Sequence, residues 1–174
     1  MTPDPHFENL VELYYRDLYR FAYGLVRNEP DASDLTQQTF FIWASKGHQL
    51  RDPAQAKSWL FTTLHREFLQ KHRRETRFSH SEINAAEHEL PQVMPDTIQK
   101  MDARLLLDLL GRLDPTHRGP LVLYYLEDMP YKEIAAALDL PLGTVQSRIS
   151  RGKALLYRML SAPGDQSAKE VSNG

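Results

Sequence analysis

The residues best suited to chemical recognition lie near the carboxyl end of the sequence. Four polar side chains there are spaced so that one helix would carry them on a single face. They are Gln146, Ser147, Ser150 and Arg151. Short polar groups and guanidinium groups on such a face can hydrogen-bond the edges of DNA bases in the major groove. The spacing therefore predicts a helix that reads DNA sequence.

Positively charged residues flank this face and suit the phosphate groups on either side of a groove. Arg148, Lys153 and Arg158 supply that charge, and Thr144 stands where the helix begins. The predicted DNA-binding set on this helix is Thr144, Gln146, Ser147, Arg148, Ser150, Arg151 and Lys153.

The preceding residues predict the element that positions this helix. A short helix with a small Ala135 on its inner face would pack closely, and Asp139 falls where the chain reverses. Asp tolerates left-handed backbone better than most residues. The inner faces of the two helices would be formed by Ile134, Ala135 and Leu138 and by Val145, Ile149 and Leu156. The pattern predicts a helix-turn-helix, and the alternative is an ordinary helical hairpin with a solvated basic face.

The net charge of −2 hides two basic segments. Residues 51–77 carry a net +4 and residues 131–160 a net +3. The segments 1–50, 78–130 and 161–174 carry −3, −5 and −1. Because salt screens charge beyond about 10 Å, phosphate binding depends on this local excess. The basic segments could bind nucleic acid or could be two solvated helix faces.

Apolar residues recur at three- and four-residue steps over most of the chain, as in amphipathic helices. One such helix precedes Pro30, a second follows it with Asp31 as its expected N-cap, and a third covers about 54–75. Asp114 and Pro115 predict the start of a later helix. We expect an all-α fold of two small helical domains joined by a flexible linker. The expected boundaries are 1–77 and 99–161 for the domains, 78–98 for the linker and 162–174 for a disordered tail.

Other chemistry finds little support in the sequence. There is no cysteine, the seven histidines form no metal-binding motif, and the glycines form no phosphate-binding loop. We therefore expect no active site, no cofactor, no metal and no small-molecule substrate, and histidines that lie on the surface or contact partners. No apolar run is long enough to span a membrane, and the first residues do not resemble a signal peptide. We expect a cytoplasmic protein.

Three stretches together resemble a known family. They are DASDLTQQTFFIWAS at 31–45, AKSWLFTTLHREFLQKHRR at 56–74 and LDPTHRGPLVLYYLEDMPYKEIAAALDLPLGTVQSRISRGKALL at 113–156. Their order and separation are similar to those of an extracytoplasmic-function (ECF, group IV) sigma factor of the sigma-70 family. The resemblance covers roughly 7–75 and 100–160. It implies a sigma-2-like domain of three or four helices and a sigma-4-like helix-turn-helix domain.

The resemblance implies a set of residues that bind the core RNA polymerase. Acidic and amide side chains would face an Arg-bearing coiled coil in the clamp of the β′ subunit, with one aromatic side chain as an apolar anchor. These residues are Asp31, Asp34, Gln37, Gln38 and Phe41. The second domain would contact the β flap.

The resemblance also implies residues that bind the −10 promoter element. The loop 46–57 would capture a base flipped out of the melted strand. Positively charged side chains would follow the phosphates of that strand, namely Arg51, Lys57, Arg66, Lys71, Arg73 and Arg74. Trp59 and Phe61 could either stack on bases or belong to the core.

The implied function is promoter-specific initiation of transcription, with no catalysis by the chain itself. Gln146 stands where family members commonly have Arg or Lys. A glutamine at this position would favour adenine, whereas arginine would favour guanine. The family implies promoter DNA and an anti-sigma factor as further partners, the latter able to hold the protein at the membrane. The alternative is a stand-alone helix-turn-helix regulator that binds duplex DNA without polymerase.

Overall fold

The computed structural model describes residues 5–77, 98 and 101–161. These residues form α-helices and short turns, and no strand occurs among them, which confirms the all-α fold class. Two 3₁₀ turns, Gly47–Gln49 and Pro53–Gln55, connect the second and third helices. The helices are α1 (Pro5–Val26), α2 (Glu29–Lys46), α3 (Ala56–Thr76), α4 (Ala103–Gly111), α5 (Pro115–Leu126), α6 (Tyr131–Leu138) and α7 (Leu142–Ser161). The predicted linker, apart from Ile98, and the predicted tail lie outside the described residues.

The first three helices pack through the apolar stripes that the sequence predicts. α1 buries Leu18, Phe21 and Leu25 completely. α2 and α3 contribute further apolar side chains to the same core. Those buried side chains are Ala32, Leu35 and Phe40 from α2 and Leu60, Phe61, Leu64 and Phe68 from α3.

The prediction that Asp31 caps α2 is wrong. The helix begins at Glu29, and the N-cap is Asn28, three residues before Asp31. The Asn28 side-chain oxygen accepts a hydrogen bond from the Asp31 backbone N–H at 2.9 Å. Pro30 stands in the first turn, where a helix has no use for the N–H that proline lacks. A proline that looks like a break between helices is therefore part of the second one.

The helix-turn-helix is formed by α6 and α7 as predicted. Asp139 ends α6 with a left-handed backbone (φ 53°), and the Leu140 N–H donates to the Ala135 carbonyl at 3.0 Å. This geometry turns the chain sharply within a few residues. Val145 and Ile149 of α7 have no exposed surface. The hairpin thus packs one face inward and leaves the other to solvent.

The two halves of the described chain share one hydrophobic core, which the sequence analysis did not anticipate. The Thr62 hydroxyl on α3 donates to the Ala137 carbonyl on α6 at 2.8 Å. The Arg118 guanidinium on α5 donates to the Leu25 carbonyl at the end of α1 at 2.7 Å. Ion pairs on the surface also join the halves, namely Arg20–Glu127, Arg27–Asp108 and Arg66–Asp139.

Candidate nucleic-acid and protein interfaces

The outer face of α7 carries the four side chains predicted to read bases. All four are exposed, while Val145 and Ile149 on the opposite side anchor the helix. We call this surface the recognition face, and it consists of Gln146, Ser147, Ser150 and Arg151. It can offer amide, hydroxyl and guanidinium groups to a DNA groove at the same time.

The other three predicted members of the α7 set are less exposed than the recognition face. Thr144, Arg148 and Lys153 are half-buried. The Lys153 ammonium lies 4.3 Å from the centre of the Tyr124 ring, a cation–π contact. These side chains therefore stand at the border of the recognition face rather than on it.

The basic residues predicted to follow a separated strand form two groups. Arg66, Lys71, Arg73 and Arg74 project from the middle and end of α3, whereas Arg51 lies between the two 3₁₀ turns and Lys57 lies in the first turn of α3. All six are exposed. Two of them already contact carboxylates. Arg66 pairs with Asp139 at 2.8 Å, and Lys71 pairs with Asp31 at 3.3 Å. Because both pairs are well exposed, each contributes little to stability.

A cleft of about 210 Å³ separates the turns after α2 from the helix-turn-helix. Leu50, Trp59 and Arg66 line one side of the cleft. Ala136 and Asp139, at the end of α6, line the other side. The region that the resemblance assigns to a flipped base therefore borders on the second half of the chain.

The outer face of α2 exposes four of the five predicted polymerase-binding residues. Phe41 is 68% exposed, the largest such value among the large apolar side chains of the described residues. We call this surface the α2 outer face, and it consists of Asp34, Gln37, Gln38 and Phe41. An exposed ring among acidic and amide groups suits a protein partner.

Asp31, the fifth predicted residue, is engaged within the molecule. Hydrogen bonds from Asn28 and Lys71 hold the pKa of its carboxyl below the ordinary value. A groove of about 410 Å³ between α2 and α3 contains Asp31 and Lys71 together with Arg74. Residues predicted for polymerase and for DNA thus meet in one groove.

The two aromatic residues left open by the sequence have different environments. Phe61 is 1% exposed and its ring lies 5.4 Å from that of Phe21, so it belongs to the core. Trp59 is half-buried, meets Trp43 edge-on at 5.1 Å and lines the cleft. Only Trp59 remains available for stacking in this arrangement.

The expectation that histidines lie on the surface or contact partners is wrong for His65. This residue is 3% exposed, and its Nε2 has no hydrogen-bond partner. Burial, together with the charges of Arg148 and Arg66, lowers its pKa to about 4. Its position four residues after Phe61 and three before Phe68 places it on the buried face of α3, so the spacing could have revealed it.

In the described ranges, no group of three or more potential metal-binding side chains comes together. Within the same part of the chain, no helix has both the length and the apolar character that a bilayer crossing needs.

Family comparisons match both halves of the chain. The model for sigma-70 region 2 matches residues 10–78, and the model for sigma-70 region 4 matches residues 103–156. The first match contains α2 and α3, and the second contains the helix-turn-helix. The matches follow the order that the resemblance predicts.

Individual relatives and solved structures agree with these matches. The ECF RNA polymerase sigma factor SigE of Mycolicibacterium smegmatis is 35% identical over 171 residues, which cover 96% of this chain and 66% of the relative. The RNA polymerase sigma-E factor of Streptomyces coelicolor is 32% identical over 158 residues, covering 90% of this chain and 86% of the relative.

Two solved structures share the fold. One is the sigma factor RpoE in complex with the anti-sigma factor NepR from Bartonella quintana, with a TM-score of 0.67 at 24% identity over 92% of this chain and 99% of that one. The other is CnrH in complex with the cytosolic domain of CnrY, with a TM-score of 0.60 at 26% identity over 90% and 88%. With both regions matched in order and relatives above 30% identity, the chain belongs to the ECF sigma factors of the sigma-70 family.

Proposed function

We propose that this chain binds core RNA polymerase through α2 and directs it to promoters that α3 and α7 recognise. The observation that carries the proposal is the presence of two exposed polar surfaces on one chain, the α2 outer face and the recognition face. A DNA-binding protein that acts alone needs the second surface but has no evident use for the first. The chain would thereby link polymerase to a DNA sequence.

The α2 outer face would contact the clamp coiled coil of the β′ subunit. Phe41 would supply the apolar anchor, because burying an exposed aromatic ring contributes more than any polar contact on the rim. Asp34 and the two glutamines would pair with basic and polar groups around it. Asp31 would act mainly by fixing the groove between α2 and α3, since Asn28 and Lys71 already hold its carboxylate.

The recognition face would read the −35 element in the major groove. Gln146 suits adenine and Arg151 suits guanine, because each can form two hydrogen bonds to its base. Arg148 and Lys153, at the border of this face, would bind phosphates and set the position of the helix. The β flap of polymerase is the expected contact of the same domain.

The basic side chains of α3 and of the preceding turns would bind the separated −10 strand. Arg73 and Arg74 are exposed at the end of α3, where phosphates could approach without displacing a protein partner. Trp59 lies at the cleft and could stack on a base held by the loop 46–57. Arg66 and Lys71 would first have to leave Asp139 and Asp31.

The remaining expectations follow from the same proposal. The functional units are residues 1–77 and 99–161, with 78–98 as the linker and 162–174 as a tail. We infer a cytoplasmic protein without catalytic activity of its own. An anti-sigma factor is the expected regulatory partner. The RpoE of Bartonella quintana, whose fold this chain shares, is seen in complex with the anti-sigma factor NepR.

Transcription with purified components tests this function. Core polymerase together with this chain should produce defined transcripts from genomic DNA that core polymerase alone does not produce. A stand-alone regulator would instead bind a duplex operator tightly without polymerase and give no new transcript. Because the two outcomes differ in the need for polymerase, one gel-shift series with and without core enzyme separates them.

A further inference from the structure

The helix-turn-helix packs directly on the helix that carries the predicted −10 residues. The Thr62 hydroxyl donates to the Ala137 carbonyl at 2.8 Å, and Arg66 pairs with Asp139 at 2.8 Å. The cleft beside Trp59 is closed on one side by Ala136 and Asp139. We call this packing of α6 on α3 the closed arrangement. If the proposed function holds, α6 then fills space beside Trp59 that the −10 strand would need to enter.

An imidazole lies buried where the two halves meet. His65 stands on α3, and its Nε2 faces the backbone of Gly119 on α5 so closely that a Cβ at that glycine would lie 2.6 Å away. Nε2 has no hydrogen-bond partner, and the residue is 3% exposed. Only a neutral imidazole can remain in such a place at modest cost, because a buried charge without a partner is strongly unfavourable.

The groups around His65 offer nothing to stabilise a positive charge. Phe21 on α1 places its apolar ring beside the imidazole, with ring centres 6.3 Å apart. On α5, the neighbouring residue is the uncharged Gly119. The charges that act on His65 are those of Arg148 from α7 and Arg66 on α3 itself, both positive. Asp139, at the end of α6, is paired with Arg66.

We propose that His65 makes the closure of the two halves pH-sensitive: closure requires a neutral imidazole, and protonation opens the contact between α3 and the helix-turn-helix. Opening would remove Gly119 from the imidazole and admit water to Nε2. It would also free Arg66 and the cleft. The second half of the chain therefore covers the predicted −10 surface near neutral pH. Acid opens the contact and exposes that surface.

The size of the effect follows from the two pKa values. In the closed form the pKa of His65 is about 4, against an ordinary value of 6.5 that it should regain in water. The lowered pKa means that closure is fully stable above pH 6.5 and weakens as the pH falls toward 4. Between pH 7.5 and 5.5 the ratio of open to closed molecules should rise about tenfold.

Thiol reactivity can measure this opening, because the natural chain has no cysteine. The probe is T62C, a buried position between α3 and α6, and its reaction with a thiol reagent reports each opening. T39C is the matched control, since Thr39 is fully buried on α2 and reports only global unfolding. Q55C, at an exposed position, corrects for the effect of pH on the thiol.

The proposal predicts that T62C reacts faster than T39C and that its corrected rate rises about tenfold between pH 7.5 and 5.5. Adding H65Q should abolish that rise, whereas adding H48Q, at an exposed histidine, should leave it unchanged. Equal rates for T62C and T39C would overturn the proposal, as would a rise that persists with H65Q. Neither DNA nor polymerase is present, so failure here leaves the proposed function untouched.

A second measurement covers the case in which H65Q does not fold. Imidazole NMR of the unmodified chain should show a pKa of His65 well below 6.5. The variant T62V keeps the side-chain shape but removes the donor to Ala137, so it should favour opening and move the pKa of His65 upward. A pKa of His65 at or above 6.5 in the unmodified chain, or one that T62V leaves unchanged, would contradict the proposal.

Discussion

Arg118 is a single side chain that bonds to both halves of the described chain. Its guanidinium donates to four backbone carbonyls, one at the end of α1 and three around the turn between α4 and α5. Burial lowers its pKa, yet the group stays charged because arginine retains its proton far above neutral pH. The side chain thus joins the two halves and hydrogen-bonds carbonyls at helix ends. Of the four, the Leu110 carbonyl also accepts from the Leu113 backbone N–H.

Replacing Arg118 by Met should lower the free energy of unfolding by about 2–4 kcal/mol, because buried carbonyls would lose their donors. Urea denaturation measures this loss. R104M is the control, since Arg104 is exposed on α4 and its removal should change stability by less than about 0.5 kcal/mol. Equal stability of the two variants would show that the four hydrogen bonds do not hold the halves together.

Residue-scale features differ in how well the sequence predicts them. Asp114 is the N-cap of α5 as expected, because an acidic residue followed by proline is a local signal. The sequence does not single out Asn28 as the cap of α2, because Pro30 resembles a break between helices. The bonds of Arg118 and Thr62 join residues far apart in the chain, and no periodic pattern reports such pairs.

Among the helices, α7 combines a buried face that packs on the core with an exposed face that is predicted to bind DNA. Its inner side chains are fully buried, and its recognition face is exposed. The 3.6-residue period alone predicts this division, which explains why it was visible in the sequence. The partial engagement of Arg148 and Lys153 depends on neighbouring helices and was not visible.

Arg151 provides a test of base reading by α7. If R151A removes a contact to one base, preference should relax at one −35 position, with a loss of about 1–3 kcal/mol at the preferred base. R158A, at an exposed residue further along α7, should instead weaken binding evenly across sequences and reduce its salt dependence. Binding of holoenzyme to a library of −35 variants distinguishes the two patterns. Even weakening with R151A would make Arg151 a phosphate contact.

Phe41 provides the matching test for α2. F41A should weaken binding to core polymerase at least tenfold, because it removes the apolar anchor of the α2 outer face. L13A is the control, since Leu13 on α1 has the same exposure, 67% against 68%, and lies outside the predicted contact set. Fluorescence titration with core enzyme gives both affinities. Equal losses would mean that exposure, rather than position on α2, decides the effect.

For the chain as a whole, the distribution of charge along the sequence says more about DNA binding than the net charge does. The net charge of −2 combines two basic segments with acidic ones. In the closed arrangement, Asp139 and Asp31 neutralise two of the predicted −10 residues, Arg66 and Lys71. The family assignment follows from sequence, whereas the Arg66–Asp139 pair forms only because α3 packs against the end of α6. The Lys71–Asp31 pair lies within the first half and joins α2 to α3.

Masking and acidic repulsion together predict weak DNA binding by the free protein. The chain alone should bind a promoter duplex at least tenfold more weakly than the holoenzyme does, with a shallow dependence on salt concentration. Anisotropy titrations at several salt concentrations measure both quantities. Tight binding by the free chain, with the steep salt dependence of many phosphate contacts, would contradict this expectation and favour a stand-alone regulator.

Transcription from genomic DNA by core polymerase, with and without this chain, tests most directly whether the chain directs polymerase to promoters. We expect transcripts with defined start sites that require the chain, that are lost with F41A and that change in promoter preference with R151A. No chain-dependent transcript from any genomic template, with a folded chain and active core enzyme, would contradict this expectation.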